Sequence, residues 1–418
     1  MQALPGFRDF LPADCAVRNY IFAQWRDVSR RYGFVEWDGP VLEPTDLYKK
    51  KSGEEIIGQL FNFTDKGGRE VAMRPELTPT LARVVAAHER EFKKPLKWFS
   101  IPQCFRYEKQ QRGRLREHFQ LNCDLIGDSS EDADAEMIAL LVDLLRSFGF
   151  TPDEVRVYVS HRGAWGDYLR NHGNSLSSGE MQEFLTVVDK IERLDETVAD
   201  ERLKRLGTSL QLVRQFIQRP EQYFDAFRGL TDKLKARGLA QFVTLRPQIV
   251  RGLAYYTGFV FEAFDRPGKL RAIAGGGRYD NLVAQLSEGA VSLPALGFAM
   301  GDVVLGELIR ETPSARAQME AAVEREQQLD VYIVIAKEER RADALAQVQA
   351  LRDRRYRVDY PLTAARVGKQ FQTAEHLQAR FAVLFGDEWP QVKLKNMTTG
   401  EQESVQVETL AARLQVLF

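Results

Sequence analysis

Cysteine is scarce in this sequence, and long apolar segments and an excess of charge of either sign are missing. Its 418 residues include three cysteines, none in a CxxC pair or beside a histidine at metal-ligand spacing. That spacing argues against a disulfide framework and against a structural zinc site. Lysine and arginine number 58, aspartate and glutamate 59, and the formal net charge is -1. A surface coated with basic residues is therefore excluded, and any contact with RNA must come from local patches.

The first ten residues have no basic region followed by an apolar core, and no apolar run reaches membrane-spanning length. We therefore expect a cytoplasmic protein without membrane contact. Hydrophobic residues make up 44% of the chain and aromatic residues 10%, which excludes global disorder. A chain of this length has room for two or three domains with well-buried cores.

The order of helical and strand-like segments predicts an α+β fold, an antiparallel sheet flanked by helices. The predicted helices lie at residues 14–32, with Asp14 as the cap, 78–90 and 132–148. The predicted strands lie at residues 60–63, 71–73, 96–107 and 116–126. Because strands and helices are interleaved without a regular βαβ period, a doubly wound parallel sheet is disfavoured.

Changes in pattern divide the chain into two domains. The first covers residues 1–310 and is interrupted by a mostly helical, charged insertion at about 164–246. A polar linker with Pro313 and Ser314 follows at residues 311–328. Residues 329–418 alternate strand, helix, strand, helix, strand and end in a short helix near 409–416, a pattern typical of a small α/β domain.

Two glycine-rich blocks carry much of the chemical information. They read RGLAYYTG at residues 251–258 and GGGRYD at residues 275–280. Glycine lets the backbone approach a ligand closely, and an arginine that opens a strand can face an anion, so these blocks favour a phosphorylated ligand. Tyr255 and Tyr256 would point to opposite faces of a strand, so one of them is expected in the pocket.

A charged loop joins the two longest predicted strands and reads FRYEKQQRGRLREHFQ at residues 105–120. Arg106 and Glu108, two apart on a strand, would project to one face, where the arginine can bind a phosphate and the glutamate an amino group. A solvated charged hairpin is the usual explanation of an isolated Arg-x-Glu. Here apolar runs on both sides predict a buried sheet, where unpaired charge is costly, so a ligand explains the pair better.

These motifs, in this order, resemble those of histidyl-tRNA synthetases, which are class II aminoacyl-tRNA synthetases. The similarity covers nearly the whole chain and is greatest to the plant and cyanobacterial branch. Besides the two glycine-rich blocks, it includes PGFRDFLP at residues 5–12, the dimer-interface motif at 32–40, AMRPELT at 72–78 and the second class II motif at 106–120. The resemblance implies a class II catalytic domain, a helical insertion and a C-terminal anticodon-binding domain.

The resemblance also implies ligands and side-chain roles, with ATP, histidine, tRNA(His) and Mg²⁺ as ligands. Two arginines would be catalytic, stabilising charge at the α-phosphate and the reacting carboxylate: Arg106 and Arg251. ATP would be bound by Arg106, Glu108, Arg114, His118 and Arg251. Histidine would be bound by Glu76, Thr78, Gln120, Asp124, Arg251, Tyr255 and Tyr256. The chain would supply no metal ligand and no nucleophile, because the carboxylate of histidine attacks ATP with the help of Mg²⁺.

Two positions depart from the family pattern. The third motif commonly ends Gly-x-Glu-Arg, with the arginine on the γ-phosphate, but Val304 stands at that position. Another cation, Arg112 or Arg114, would then compensate. His118 stands where a phenylalanine usually stacks on adenine, and an imidazole can still stack.

The last domain separates the competing functions. It concentrates basic residues beside Tyr356 and Phe371, which can stack on unpaired bases: Arg340, Arg341, Arg352, Arg354, Arg355, Arg357, Arg366 and Lys369. For most of these arginines taken singly, a solvated helix balanced by Glu338, Glu339, Asp343 and Asp353 is the better explanation. As a unit, however, the segment resembles the anticodon-binding domain of the family. A homodimeric histidine–tRNA ligase is the leading hypothesis. The main alternative is a non-catalytic paralogue such as the regulatory subunit of ATP phosphoribosyltransferase, favoured by Val304 but usually without this domain. A class II synthetase for another amino acid is disfavoured by the block around Arg251.

Overall fold

The computed structural model describes residues 3–52, 54–109, 111–249 and 256–418. The chain forms two compact units, Met1–Met319 and Glu320–Phe418. Within the described ranges, no helix has both the length and the apolar character that crossing a bilayer requires.

The first unit is built on a large, mainly antiparallel sheet. The strands of this unit are β1 (Val35–Glu36), β2 (Leu42–Pro44), β3 (Asn62–Thr64), β4 (Glu70–Met73), β5 (Leu96–Ser100), β6 (Gln103–Phe105), β7 (Glu117–Ile126), β8 (Val155–His161), β9 (Val243–Leu245), β10 (Phe259–Asp265), β11 (Ala274–Arg278) and β12 (Ala295–Gly301). The large sheet has the order β1-β5-β7-β12-β11-β10-β8-β9, with β6 also paired to β7, and β2-β4-β3 form a small separate sheet. The outer pairs β1–β5 and β8–β9 are parallel, and the pairs between them are antiparallel.

Helices cover the large sheet and fill the insertion. They are α1 (Pro12–Arg31), α2 (Thr45–Ser52), α3 (Thr78–Ala87), α4 (Glu131–Ser147), α5 (Ala164–Asn171), α6 (Ser178–Asp189), α7 (Glu196–Arg205), α8 (Leu210–Gln218), α9 (Pro220–Tyr223), α10 (Asp225–Ala236), α11 (Leu282–Leu286), α12 (Asp302–Glu311) and α13 (Pro313–Gln327). Helix α4 is capped by Ser130, whose hydroxyl accepts from the Ala133 N–H, and most of its side chains are buried. Burial of this apolar helix gives the unit much of its core.

Two predicted elements of the first unit were wrong in detail. Asp14 does not cap α1: the helix begins at Pro12 after Leu11, and Asp14 lies in its first turn. Proline has no N–H to leave unpaired, so it suits this first position. The Asp14 carboxylate still interacts favourably with the partial positive charge at the start of the helix. The long strand predicted at residues 96–107 is two strands, β5 and β6, because Pro102 between them cannot donate to the ladder.

Further differences concern the insertion and the linker. Strand β8 was not predicted, yet it lies inside the large sheet and pairs with β10 over its whole length. The insertion helices run from α5 to α10, and the chain returns to the sheet through β9, before residue 246. Residues 311–328, predicted as a polar linker, contain helix α13. The domain boundaries stay predictions.

The second unit is a small α/β structure with a mixed sheet. Its elements are β13 (Val331–Ile335), α14 (Arg341–Asp353), β14 (Val358–Asp359), α15 (Val367–His376), β15 (Phe381–Phe385), β16 (Gln391–Asn396), β17 (Gln402–Gln406) and α16 (Leu410–Leu417). The order is β14-β13-β15-β16-β17, parallel around β13 and antiparallel beyond β15. Strands β16 and β17 form a hairpin that was not predicted. Alternate residues of β13 pack into different core clusters on the two faces of the sheet, which explains its continuous apolar run.

Candidate active site

Strand β7 carries a row of polar side chains on one face, because residues two apart in a strand point the same way. His118, Gln120, Asn122 and Asp124 form this row, and the last three are buried. The Gln120 Nε2 donates to Asn122 Oδ1 at 2.9 Å, and His118 Nε2 lies 3.3 Å from Gln120 Oε1. A polar row of this kind inside a sheet suits a ligand that needs several hydrogen-bond partners.

The inner end of the row is an acidic group held by a tyrosine. Asp124 Oδ1 accepts a hydrogen bond from the hydroxyl of Tyr279, and both side chains are buried. Gly297 faces Asp124 on the neighbouring strand, and a Cβ added there would lie 2.1 Å from Asp124 Oδ1. Glycine at this position therefore leaves the room that the carboxylate occupies. The structure thus holds Asp124 in one orientation.

Tyr256 lies at the same end of the site. It packs against the apolar cluster that contains Tyr279, Leu81 and Leu282. A Cβ added to Gly277 would lie 3.1 Å from the Tyr256 ring, so this glycine of the GGGRYD block makes space for the tyrosine. Arg251 and Tyr255, also predicted here, lie outside the described residues.

The other end of the row opens into a cavity of about 390 Å³. Its lining includes four residues predicted to bind ATP: Arg106, Glu108, Arg114 and His118. Arg114 Nη1 lies 2.7 Å from Glu108 Oε2. Arg106 and Glu108 follow the end of β6 rather than lying within a strand, but they face the same cavity. The wall is completed by Phe264, Leu270, Arg271, Ala272, Gly301, Val303 and Val304, with Gly113 and Leu115.

Arg106 connects this cavity to the AMRPELT segment. Its Nε donates to the carbonyl of Pro75 at 3.0 Å, directly before Glu76. Arg74, which was assigned no role, is buried and fixes the segment through bonds to Asp38 Oδ1 at 2.7 Å and the Gly39 carbonyl at 2.8 Å. Glu76 and Thr78, which begins α3, are both partly buried beside it.

A buried cysteine, Cys104, adjoins this site. Cys104 lies beneath Arg106 and Arg74, and burial raises the pKa of its thiol to about 12, against the opposing effect of both arginines. A thiol that stays protonated is a poor nucleophile. Among the residues that the structure describes, no group of three or more histidine, cysteine or acidic side chains is placed to hold a metal ion.

Arg278 of the GGGRYD block has a structural role. Its Nη2 lies 3.0 Å from Asp134 Oδ2 in a buried ion pair, and its Nη1 donates to the Asp128 carbonyl at 3.0 Å. Burial raises the pKa of Asp134 to about 6 in spite of the arginine. This pair ties β11 to the start of α4, which keeps the glycine block in place.

The second unit exposes part of the predicted basic concentration. Half of these residues are bound within the unit: Arg340, Arg341, Arg352 and Arg357 contact aromatic rings, carboxylates or carbonyl oxygens. Four others are exposed, and no carboxylate of the described chain lies within ion-pair distance of them: Arg354, Arg355, Arg366 and Lys369. These four have charge available for a phosphate backbone.

Comparison with known proteins identifies the family. A family model described as histidyl-tRNA synthetase matches residues 6–302, and one described as an anticodon binding domain matches residues 330–417. The chain is 44% identical over 441 aligned positions to the histidine–tRNA ligase of Opitutus terrae, covering 100% of this chain and 98% of that one. The chain belongs to the histidyl-tRNA synthetase family. It is an ATP-dependent aminoacyl-tRNA ligase by this membership.

Other relatives agree with this assignment. The chloroplastic and mitochondrial histidine–tRNA ligase of Arabidopsis thaliana is 37% identical over 423 positions, covering 97% of this chain and 85% of that one. The crystal structure of histidyl-tRNA synthetase from Nostoc sp. PCC 7120 has the same fold, with a TM-score of 0.79, 21% identity and coverage of 100% and 99%. The predicted α+β fold with a C-terminal anticodon-binding domain is thereby confirmed.

The sequence missed three positions of the site. Asn122 lies in the row between Gln120 and Asp124 and accepts a hydrogen bond from Gln120, and the alternation of β7 would have found it. Tyr279 lies in a quoted block but received no role, because its contact with Asp124 joins residues 155 positions apart. Arg271 lines the cavity beside Val304, and its isolated position in the sequence gives no motif signal.

We expect His118 to make the stability of this protein sensitive to mild acid. Burial and the neighbouring Arg106 lower the pKa of His118 from 6.5 to about 4. The unfolded state therefore binds a proton that the folded state does not, and stability present above pH 6.5 is lost as the pH falls toward 4. When the pH falls from 7 to 5, the lowered pKa of His118 should reduce the free energy of unfolding by about 2 kcal/mol.

The measurement compares urea unfolding of the wild type and His118→Phe at both pH values. The variant should lose about 2 kcal/mol less on acidification. His161, whose pKa burial also lowers to about 4, is unchanged in both proteins and cancels in the comparison. Equal losses would show that His118 titrates normally.

Proposed function

We propose that this chain esterifies histidine to tRNA(His) in two steps through histidyl-adenylate. In the second step a hydroxyl at the 3′ end of the tRNA forms an ester with the histidyl carbonyl, and AMP leaves as the mixed anhydride bond breaks. The observation that carries the proposal is the polar row of β7, which runs from the cavity at Arg106 and His118 to the buried Asp124. A phosphorylated nucleotide suits the cationic end, and a small cation with N–H donors suits the acidic end.

In the first step the carboxylate oxygen of histidine attacks the α-phosphorus of ATP. The bond from this phosphorus to the bridging oxygen breaks, and pyrophosphate leaves with the electron pair. Arg106, fixed by the Pro75 carbonyl, would stabilise the charge that develops on the α-phosphate, together with Arg251. Glu108 and Arg114 would bind the nucleotide, with His118 stacked on the adenine as a neutral imidazole.

Histidine would lie along the inner half of the row. The ammonium group would contact Glu76, Thr78 and Gln120, which all lie near the anchored AMRPELT segment or on β7. The imidazole would reach Asp124, whose carboxylate is an acceptor for an imidazole N–H. Tyr256 would contact the same ring, and it is the tyrosine of the pair that the motif favours for this pocket.

Mg²⁺ would enter with the nucleotide. Among the described residues that line the cavity, Glu108 is the one carboxylate, and it is bound by Arg114 at 2.7 Å. The donor set therefore fits an ion held mainly by phosphate oxygens and water, as Mg²⁺ prefers. When bound, it neutralises charge on the phosphates while the arginines of the chain orient them.

The remaining assignments follow from the family. The protein would act as a homodimer in the cytoplasm, and the second unit would bind the anticodon end of tRNA(His) through Arg354, Arg355, Arg366 and Lys369. The regulatory-subunit alternative is not favoured, because the full-length relatives are ligases and the second unit matches an anticodon binding domain.

The decisive test is exchange of labelled pyrophosphate into ATP by the purified chain. Exchange that requires histidine, followed by transfer of labelled histidine to tRNA(His), is the expected result. Absence of both activities, with stimulation of an ATP phosphoribosyltransferase, would favour the regulatory alternative.

Removing the second unit should separate the two steps. A chain that ends at Gln328 retains Arg106, Asp124 and the whole polar row, so we expect pyrophosphate exchange within a few-fold of the full chain. Transfer at limiting tRNA should fall at least about tenfold, and its salt dependence should flatten, because fewer counterions are released on binding. Both activities are measured side by side at several salt concentrations.

A full-length variant controls for damage by truncation. Replacing Arg354, Arg355, Arg366 and Lys369 together by alanine should reproduce the transfer defect and the flatter salt slope. Arg341→Ala, whose guanidinium is bound to Glu338 at 2.7 Å, should change neither. Unaltered transfer by the fourfold variant would show that the tRNA contacts another surface.

A further inference from the structure

We propose that Arg271 binds the outer phosphates of ATP and replaces the cation that is missing at Val304. The inference rests on the proposed role of the 390 Å³ cavity as the ATP site. Arg271 is an exposed side chain on the wall of that cavity, in a segment to which no motif assigns a function.

The backbone that carries Arg271 is fixed. The buried carboxylate of Asp265 accepts hydrogen bonds from the N–H groups of Lys269 at 2.9 Å and Leu270 at 3.0 Å. Leu270 is itself buried, and the Ile273 N–H donates to the Ala263 carbonyl at 2.8 Å. Arg271 therefore projects from a held turn, which lowers the entropy lost when its guanidinium binds an anion.

The stem of Arg271 lies beside the position of the missing arginine. Both side chains approach Gly113, at the tip of the charged loop. A Cβ added to Gly113 would lie 3.2 Å from Val304 Cγ2 and 3.8 Å from Arg271 Cδ. The longer arginine side chain extends beyond this shared point, so it brings a cation into the region next to residue 304.

The two cations predicted to compensate are already bound to carboxylates. Arg114 pairs with Glu108. Arg112 does not line the cavity, and it pairs with Glu311 and, through Nε, with Glu307 Oε2 at 3.3 Å. Either arginine would have to leave an acidic partner to bind a phosphate.

Arg271 has a neutral partner instead. Its Nη2 donates to the amide oxygen Oε1 of Gln111 at 2.6 Å, and no carboxylate of the described chain lies within ion-pair distance of it. An amide leaves the positive charge uncompensated, so Arg271 can bind a phosphate without losing an ion pair.

The arrangement of the cavity assigns Arg271 to the outer phosphates. Arg106 lies at the end that continues into β7 and the histidine site, where the α-phosphate must be for attack. Arg271 lies with Gly113 and Val304 at the loop side. A triphosphate with its α-phosphate at Arg106 would extend toward this second cation.

The test compares nucleotides with and without outer phosphates. Calorimetry measures the Kd of ATP and of AMP for wild type, Arg271→Ala and Arg271→Gln, with Arg266→Ala as a matched exposed arginine from the same turn. We expect both Arg271 variants to raise the Kd of ATP about ten- to hundredfold and the Kd of AMP less than twofold. Arg266→Ala should change neither. In pyrophosphate exchange, KM for ATP should rise while KM for histidine stays constant.

A second-site variant tests the replacement directly. Val304→Arg added to Arg271→Ala should recover ATP affinity, because it restores a cation at the family position. Equal weakening of ATP and AMP, or ATP affinity unchanged in both Arg271 variants, would overturn the inference. Failure of the wild type to exchange pyrophosphate would instead overturn the proposed function, since a selective effect of Arg271 on ATP binding does not depend on turnover.

Discussion

Arg106→Ala should lower histidine-dependent pyrophosphate exchange by about two to three orders of magnitude, the usual effect of removing one preorganised donor from a developing anion. The guanidinium is partly buried, its Nε is held by the Pro75 carbonyl at 3.0 Å, and it lines the cavity. An orientation fixed before the reaction requires no reorganisation in the transition state, so the loss should appear mainly in the rate.

Conservative and distant variants separate this role from a general effect of charge. Arg106→Lys keeps the charge but loses the second donor arm, so exchange should be only partly restored. Arg214→Ala, an exposed arginine of the insertion paired with Glu196, should exchange normally. Normal exchange by a folded Arg106→Ala protein would remove Arg106 from the catalytic assignment. The same loss is expected for Arg251→Ala.

Asp124→Ala should lower kcat/KM for histidine by about two orders of magnitude or more and leave KM for ATP nearly unchanged. The carboxylate is buried and oriented by the Tyr279 hydroxyl, so its loss leaves both that hydroxyl and the imidazole N–H without this acceptor. The same logic predicts discrimination of about four to five orders of magnitude against an apolar isostere of histidine.

Graded variants keep this prediction testable if alanine destabilises the fold. Asp124→Asn retains the volume and one acceptor but loses the charge, and Tyr279→Phe retains the carboxylate but loses its orientation. We expect intermediate losses for histidine from both, measured by steady-state exchange at varied histidine and varied ATP. The exposed Asp27→Ala is the matched control. Equal losses for histidine and ATP in these variants would contradict the placement of Asp124.

Family motifs, together with local periodicity, account for the parts of the site that could be predicted. The face shared by His118, Gln120 and Asp124 follows from the two-residue repeat of a strand, which depends on covalent geometry alone. The ordered motifs identified the family because each reflects a local requirement, such as a glycine next to a ligand. The break of the predicted strand at Pro102 was readable in principle, since proline lacks the N–H of a ladder bond.

The amino-acid sequence by itself determined the α+β fold and the histidyl-tRNA synthetase family, because these depend on repeats and motifs over a few neighbouring residues. Only the tertiary structure decided that Tyr279 orients Asp124, that Arg112 pairs outside the cavity, and that Arg271 lies beside Val304. These contacts depend on strand order and register, which bring together residues far apart in the chain. Whether an arginine can bind a phosphate without breaking an ion pair likewise depends on its partners in space, which its neighbours in the sequence do not reveal.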